Sequence, residues 1–111
     1  MPKTGGQLIA ESLDRNQVKN VFCVPGESYL GALDALFDKK KNINIINARH
    51  EAGAANMAES YGKLTGKPGV ALVTRGPGDC HASVGVHIAH QDSTPMVLIV
   101  GDVARNVKDR E

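Results

Sequence analysis

The chain has 111 residues, of which 41% are hydrophobic and 23% are charged, which is the size and composition of one soluble domain. Thirteen Lys and Arg residues against twelve Asp and Glu residues give a formal net charge of +1. This balance excludes a nucleic-acid or anionic-membrane surface that depends on bulk electrostatics. Two cysteines are too few for a disulfide framework, and no apolar run approaches the ~20 residues of a membrane-spanning helix. We therefore expect a cytoplasmic protein with no nucleic-acid or membrane partner.

The first half of the chain predicts a helix, a strand, a second helix and a second strand. Thr4 to Gln7 has the pattern of a capping box, which marks the start of a helix. The apolar run Val21–Val24 is ended by a Pro-Gly turn and indicates a buried strand. Leucines spaced by three residues indicate a helix over 30–37, and isoleucines over 43–46 mark the next strand.

The second half repeats this alternation. An alanine-rich helix is predicted over Ala52–Leu64, and a third strand over Gly69–Thr74. Asp79 is expected to cap a helix that runs to about His90. The apolar segment Met96–Val100, between a proline and a glycine, is the fourth strand.

Regular alternation of strands and helices predicts an α/β fold of three layers, α/β/α, with a parallel sheet of flavodoxin-like topology. The chain closes on the polar sequence ARNVKDRE without a final apolar element, so we expect residues 1–111 to be one domain that is incomplete at its C-terminus. In such sheets ligands bind beyond the carboxyl ends of the strands. The segments at those ends are Pro25-Gly26-Glu27, Arg49-His50-Glu51, Arg75-Gly76-Pro77-Gly78-Asp79 and Gly101-Asp102.

Glu51 is the main candidate for chemistry in these segments. A carboxylate at the start of a helix complements the helix dipole, and that structural role alone would explain it. The residues after it, Ala52 to Ala58, are nearly all small or apolar, so a flat ligand or another subunit could lie against them. Such surroundings disfavour the charged form of a carboxyl group, which could then share a proton with a ring nitrogen.

Four motifs in this order resemble the N-terminal, pyrimidine-binding domain of thiamine diphosphate (thiamine pyrophosphate, TPP) enzymes, in particular acetolactate synthase-like proteins. The resemblance extends from about Gly5 to Glu111. The motifs are Val24–Glu27, Ala48–Gly62, Gly69–Gly78 and Asp92–Met96. Four spaced motifs are much more specific than one glycine-rich turn.

The resemblance implies that Glu51 is catalytic: it hydrogen-bonds N1′ of the aminopyrimidine and so activates the cofactor toward the carbonyl of a 2-oxo acid. It also implies a set of cofactor-binding residues, which are Pro25, Gly26, Glu27, Glu51, Thr74, Gly76, Pro77, Gly78 and His81. Glu27 has an alternative role as a capping carboxylate of the second helix. The Gly-Pro-Gly segment has an alternative role as a simple strand-to-helix turn. Two residues depart from acetolactate synthases, which commonly have Ser in place of Arg75 and Asn in place of His81.

The rest of a complete site is implied to lie outside this chain. In the family, the diphosphate and Mg²⁺ are held by a diphosphate-binding domain of another chain, within homodimers or homotetramers, while no residue here indicates FAD. We expect no metal ligands in this chain, because His87 and His90 have no Cys or carboxylate at ligand spacing. The alternative function is a non-catalytic module of the same fold, which uses the alanine-rich helix to dimerise or to bind a partner.

Overall fold

The computed structural model describes residues 1–110, which form four strands and four α-helices in alternation. The helices are α1 (Gly5–Arg15), α2 (Leu30–Phe37), α3 (Glu51–Thr65) and α4 (Pro77–Asp92). The strands are β1 (Asn20–Cys23), β2 (Asn44–Asn47), β3 (Gly69–Val73) and β4 (Met96–Val100). Short 3-10 helices cover Glu27–Tyr29 and Arg105–Val107. None of the helices within residues 1–110 has the length and apolar character needed to cross a bilayer.

The four strands form one parallel sheet in the order β2-β1-β3-β4. This is the order of the first four strands of a flavodoxin-like sheet, so the predicted α/β fold with a parallel sheet is confirmed. Because all strands run in the same direction, the segments that follow them emerge at one edge of the sheet. The candidate residues are therefore collected at this carboxyl edge.

The two faces of the sheet pack against different helix pairs. Val21 and Cys23 of β1 belong to a core cluster with residues of α1 and α2, whereas Phe22 between them packs with Ala54 and Ala58 of α3. This follows from the alternation of side chains along a strand. β3, between β1 and β4, is buried at all five positions.

Small residues bring α3 and α4 close together. A Cβ atom added to Gly85 of α4 would lie 2.5 Å from Cβ of Ala55, closer than real Cβ contacts. Ala54, Ala55 and Ala58 are completely buried. These three alanines of α3 are thus packed inside the domain and are not available as a contact face for a partner.

Two helix starts test the predicted capping. The Thr4 side chain accepts from the Gln7 amide and the Gln7 side chain accepts from the Thr4 amide, so the capping box of α1 is confirmed. The predicted start of α4 at Asp79 is wrong, because the helix begins at Pro77 with Gly76 as its N-cap. A positive φ of 61° at Gly76 lets the chain turn into the helix earlier than a side-chain cap would.

Candidate functional site

The segments that follow β1, β3 and β4 meet at Ser28 and Thr74. Oγ of Ser28 and Oγ1 of Thr74 are hydrogen-bonded at 2.7 Å. Gly101, the first residue after β4, lies against the same serine, since an added Cβ would be 3.0 Å from Cβ of Ser28. One hydrogen bond and one close contact therefore join three of the four segments that the sequence places at this edge.

Thr74 also explains two of the candidate glycines. A Cβ atom on Gly26 would lie 2.9 Å from Cβ of Thr74, and a Cβ atom on Gly78 would lie 2.9 Å from its Cγ2 methyl. Both distances are shorter than real Cβ contacts. The two glycines thus have a reason within the fold to lack a side chain, because their backbones pack against Thr74.

The Gly-Pro-Gly segment forms the turn from β3 into α4. Gly76 has φ 61° and ψ −114°, a conformation that L side chains rarely adopt. Pro77 is the first residue of α4, where its missing N–H leaves no helical bond unmade. The turn alternative accounts for this backbone, and the contact with a pyrimidine ring stays a prediction.

Glu51 is the first residue of α3, and its side chain is only 13% exposed. Nδ1 of His81, in the first turns of α4, lies 3.0 Å from Oε2 of Glu51. An ionised carboxylate can only accept, so His81 donates in this contact. The other oxygen, Oε1, faces Gly78, at 3.5 Å from the position a Cβ would take there. The two oxygens of one carboxylate therefore have different surroundings.

The pKa of Glu51 is lowered, contrary to the expectation from its apolar sequence neighbours. Burial raises this pKa, but hydrogen bonds from His81 and from its own backbone, together with the charges of His81 and His50, outweigh the effect of burial. The pattern of residues 52–58 could not indicate this result, because the decisive partner is 30 residues away in the chain.

His50 is a site residue that the sequence reasoning did not single out. Its Nδ1 accepts the Ala52 amide at 3.1 Å and thereby caps α3. Its ring stacks on His81, with centroids 4.5 Å apart and planes inclined by 27°. The only signal in the sequence was its position directly before Glu51, where a helix cap is expected.

His50, Glu51 and His81 each place a ligand-type atom within 4.8 Å of the other two, a distance at which a metal ion could bridge them. Two observations argue against that use. The lone pair of His50 Nδ1 is already engaged by the Ala52 amide. The lone pairs of the two rings lie in nearly parallel, stacked planes, which do not converge on a nearby point. We therefore interpret the cluster as a hydrogen-bonded Glu-His pair supported by a stacked histidine.

The remaining candidates lie on the rim of the site. Pro25 is exposed, and Glu27 is exposed with Oε1 3.9 Å from a guanidinium nitrogen of Arg75. The alternative role of Glu27 as a cap of α2 is wrong, because the N-cap of α2 is Tyr29 and Glu27 instead begins the preceding 3-10 helix.

Tyr29 holds in place the segment that contains Pro25 and Glu27. The side chain is buried, and its hydroxyl donates to the carbonyl of Val24. Burial, followed by the proximity of Cys23 and Glu51, raises the pKa of Tyr29 well above its ordinary value, so the hydroxyl stays protonated. Tyr29 also belongs to the core cluster that contains Val70 and Leu72 of β3, so the loop between β1 and α2 is fixed to the sheet.

Comparisons with known proteins agree with this architecture. A family model described as "Thiamine pyrophosphate enzyme, N-terminal TPP binding domain" matches residues 3–111. The chain is 44% identical to the acetolactate synthase of Bacillus subtilis over 101 residues, covering 91% of this chain and 17% of that protein. It is 42% identical to the mitochondrial acetolactate synthase catalytic subunits of Aspergillus candidus and Saccharomyces cerevisiae, covering 91% and 90% of this chain and 14% of each. The chain therefore spans about a sixth of the length of these relatives.

Proposed function

Because the chain belongs to the family of N-terminal TPP-binding domains of thiamine pyrophosphate enzymes, we propose that Glu51 engages the aminopyrimidine of thiamine diphosphate. One observation carries this proposal. Glu51 opens a helix at the carboxyl edge of a parallel sheet, where ligands of such sheets bind, and its Oε1 faces a position without a side chain.

The residues at this edge fit a flat heteroaromatic ring. A ring nitrogen needs one hydrogen-bond partner, which the carboxyl group of Glu51 offers. The ring itself needs a close approach to the backbone, which glycine at positions 26 and 78 permits. Pro25 and Pro77 add exposed apolar surface on the rim. We assign ring contact to these residues, and a role in orienting the loops to Thr74 and Gly76.

Thiamine diphosphate, when bound, supplies the electron sink for bond cleavage next to a carbonyl group. The task of Glu51 is to hold a proton between its carboxyl group and the ring nitrogen. Its pKa is lowered in this domain, so the carboxylate is ionised before the ring nitrogen binds. A carboxyl group that shares a proton in this way acts as a general acid-base group.

We extend the proposal to the reaction and the partners on the names of the relatives. The relatives are called acetolactate synthases, and we assign this chain to an enzyme that decarboxylates and joins 2-oxo acids. The diphosphate and Mg²⁺ are held by a diphosphate-binding domain of another chain, in a homodimer or homotetramer, and FAD is not assigned. We place the protein in the cytoplasm, although two relatives are named mitochondrial.

The test replaces Glu51 by Gln in the assembly that includes a diphosphate-binding domain. Glutamine keeps the size of the side chain but cannot take up the proton. We expect the rate of C2–H exchange of bound thiamine diphosphate, measured by NMR, to fall about 10²–10⁴-fold. Asp34→Asn, which neutralises an exposed carboxylate of α2, is the matched control and should exchange at the wild-type rate. Unchanged exchange in Glu51→Gln with the cofactor bound would refute the proposal.

A further inference from the structure

We propose that His81 is a positioning residue that gives the two carboxylate oxygens of Glu51 separate tasks: it holds Oε2 and leaves Oε1 for the cofactor. This inference rests on the proposed function and deepens it. The family resemblance does not supply it, because acetolactate synthases commonly have Asn at this position.

The first step is the hydrogen bond that fixes Oε2 of Glu51. A glutamate side chain has several rotatable bonds and loses rotamer freedom when it is fixed. The Nδ1 to Oε2 contact of 3.0 Å joins the start of α3 to the first turns of α4. These helices are close-packed at Gly85 and Ala55, so the donor and the acceptor are both attached to a rigid pair.

The second step is the orientation of the imidazole itself. His81 is 49% exposed, and such a side chain would normally sample several rotamers. Its ring stacks on His50, which is fixed by its own bond to the Ala52 amide. The chain from the Ala52 amide through His50 and His81 to Glu51 therefore prepares one orientation of the carboxylate before any ligand arrives.

The third step concerns the second oxygen, Oε1. Oε1 lies beside Gly78, where an added Cβ would be in ordinary contact at 3.5 Å. With Oε2 held by His81, Oε1 is the oxygen to which no other side chain within residues 1–110 is hydrogen-bonded, and we assign it to the cofactor. A ring nitrogen can bond Oε1 while His81 remains bonded to Oε2, so binding need not break the pair.

The pair is also sensitive to proton concentration. The titratable groups around Glu51 are His81 on α4, His50 before α3 and Tyr29 on the 3-10 helix. A protonated His81 adds charge attraction to its hydrogen bond, whereas a neutral His81 with its proton on Nδ1 keeps the bond alone. Asparagine offers a neutral N–H donor, and alanine offers neither donor nor charge.

The experiment measures the pKa of the Glu51 carboxyl group by ¹³C NMR in the 111-residue chain and in three variants. We expect this pKa to be lowest in the wild type, higher in His81→Asn and highest in His81→Ala. His87→Ala removes an exposed histidine of the same helix and should leave the pKa at the wild-type value. Equal pKa values in the wild type and His81→Ala would overturn the inference.

A second measurement needs no variant and so does not depend on whether the variants fold. ¹⁵N NMR of the wild-type imidazole should find the proton of neutral His81 on Nδ1, and a proton on Nε2 alone would overturn the inference. In the cofactor-loaded assembly, the acidic limb of the pH profile of C2–H exchange should move to higher pH in His81→Asn. Failure of the proposed function has a different signature, because Glu51→Gln would then exchange normally while both NMR results on the free chain still held.

Discussion

Side chains bridge α3 and the α4 region at both ends of the helix pair, and the two bridges are built differently. At the far end from the candidate site, Glu59 is 5% exposed, and its Oε1 accepts from Oγ1 of Thr94 at 3.1 Å and from Lys63 at 2.8 Å. Lys63 also pairs with Asp92 at the end of α4. At the site end, the Glu51 carboxylate has His81 on one oxygen and the buried Gly78 beside the other.

The difference indicates which bridge holds the fold and which one is available for binding. The Glu59 bridge places one cation, Lys63, between the carboxylates of Glu59 and Asp92 and so joins α3 to the end of α4. The Glu51 bridge is one hydrogen bond from His81 to Oε2, and no other side chain within residues 1–110 is hydrogen-bonded to Oε1. The packing of Gly85 on Ala55 sets the spacing of the two helices, and both bridges depend on it.

The largest expected effect comes from breaking the spacing on which both bridges depend. Gly85→Ala would place a methyl group 2.5 Å from Cβ of Ala55, and we expect unfolding in urea to show a loss of about 1–3 kcal/mol. The pKa of Glu51 should also rise, because its contact with His81 lengthens. Gly31→Ala in α2 is the matched control, since an added Cβ there meets nothing within 4 Å and should stabilise by about 0.5–1 kcal/mol. A neutral result for Gly85→Ala would contradict close packing between the helices.

A smaller effect should follow from Glu59→Gln, which alters only the far bridge. Gln keeps an oxygen for Thr94 but removes the charge that pairs with Lys63, so we expect a loss of about 1–2 kcal/mol in the free energy of unfolding. The pKa of Glu51, measured by NMR, should not change, because the two carboxylates share no partner. A shift of that pKa would mean that the two ends are coupled.

The smallest effect is expected from a change of pH. The Glu51 bridge should lose its contribution to stability at low pH, and the Glu59 bridge should lose its contribution at high pH. The pKa of Glu51 is lowered from 4.5, so its contribution to stability is present above pH 4.5 and is lost as the pH falls through the lower folded value. Hydrogen bonds with Asp92 and then Glu59 raise the pKa of Lys63 from 10.5. Its contribution is present below pH 10.5 and is lost as the pH rises through the higher folded value.

The free energy of unfolding in urea, measured as a function of pH, checks both expectations. Glu51→Gln should flatten only the acidic side of the stability curve, and Lys63→Met only the alkaline side. A variant that flattens the wrong side would show that its partner has been misassigned.

The bounds of a strand could be predicted almost to the residue where proline and glycine lie directly outside its two ends. β4 covers Met96–Val100 as expected, because Pro95 and Gly101 mark its two ends. The start of α4 could not be predicted as well, because a side-chain cap at Asp79 and a backbone turn at Gly76 are both consistent with the sequence. The φ of 61° that decides between them is a property of the folded loop.

The candidate site was predictable in its position but not in its electrostatics. Glu51 follows from its place at a helix start beyond a strand. Its lowered pKa does not, because His81 approaches only after α3 and α4 have packed. Ser28 and His50 have ordinary sequence surroundings, and only the fold brings them to Thr74 and His81.

The packing around Thr74 has a consequence for the evolution of this edge. Its Cβ and methyl group exclude side chains at positions 26 and 78, while its hydroxyl meets Ser28. Across a large set of related chains, a residue without the γ-methyl group at position 74 should therefore permit alanine at position 78, whereas position 26 should remain glycine because its close contact is with the Cβ atom of residue 74. Glycine at positions 26 and 78 is thus explained by close packing against residue 74. It would be retained in a related protein that no longer bound any ligand.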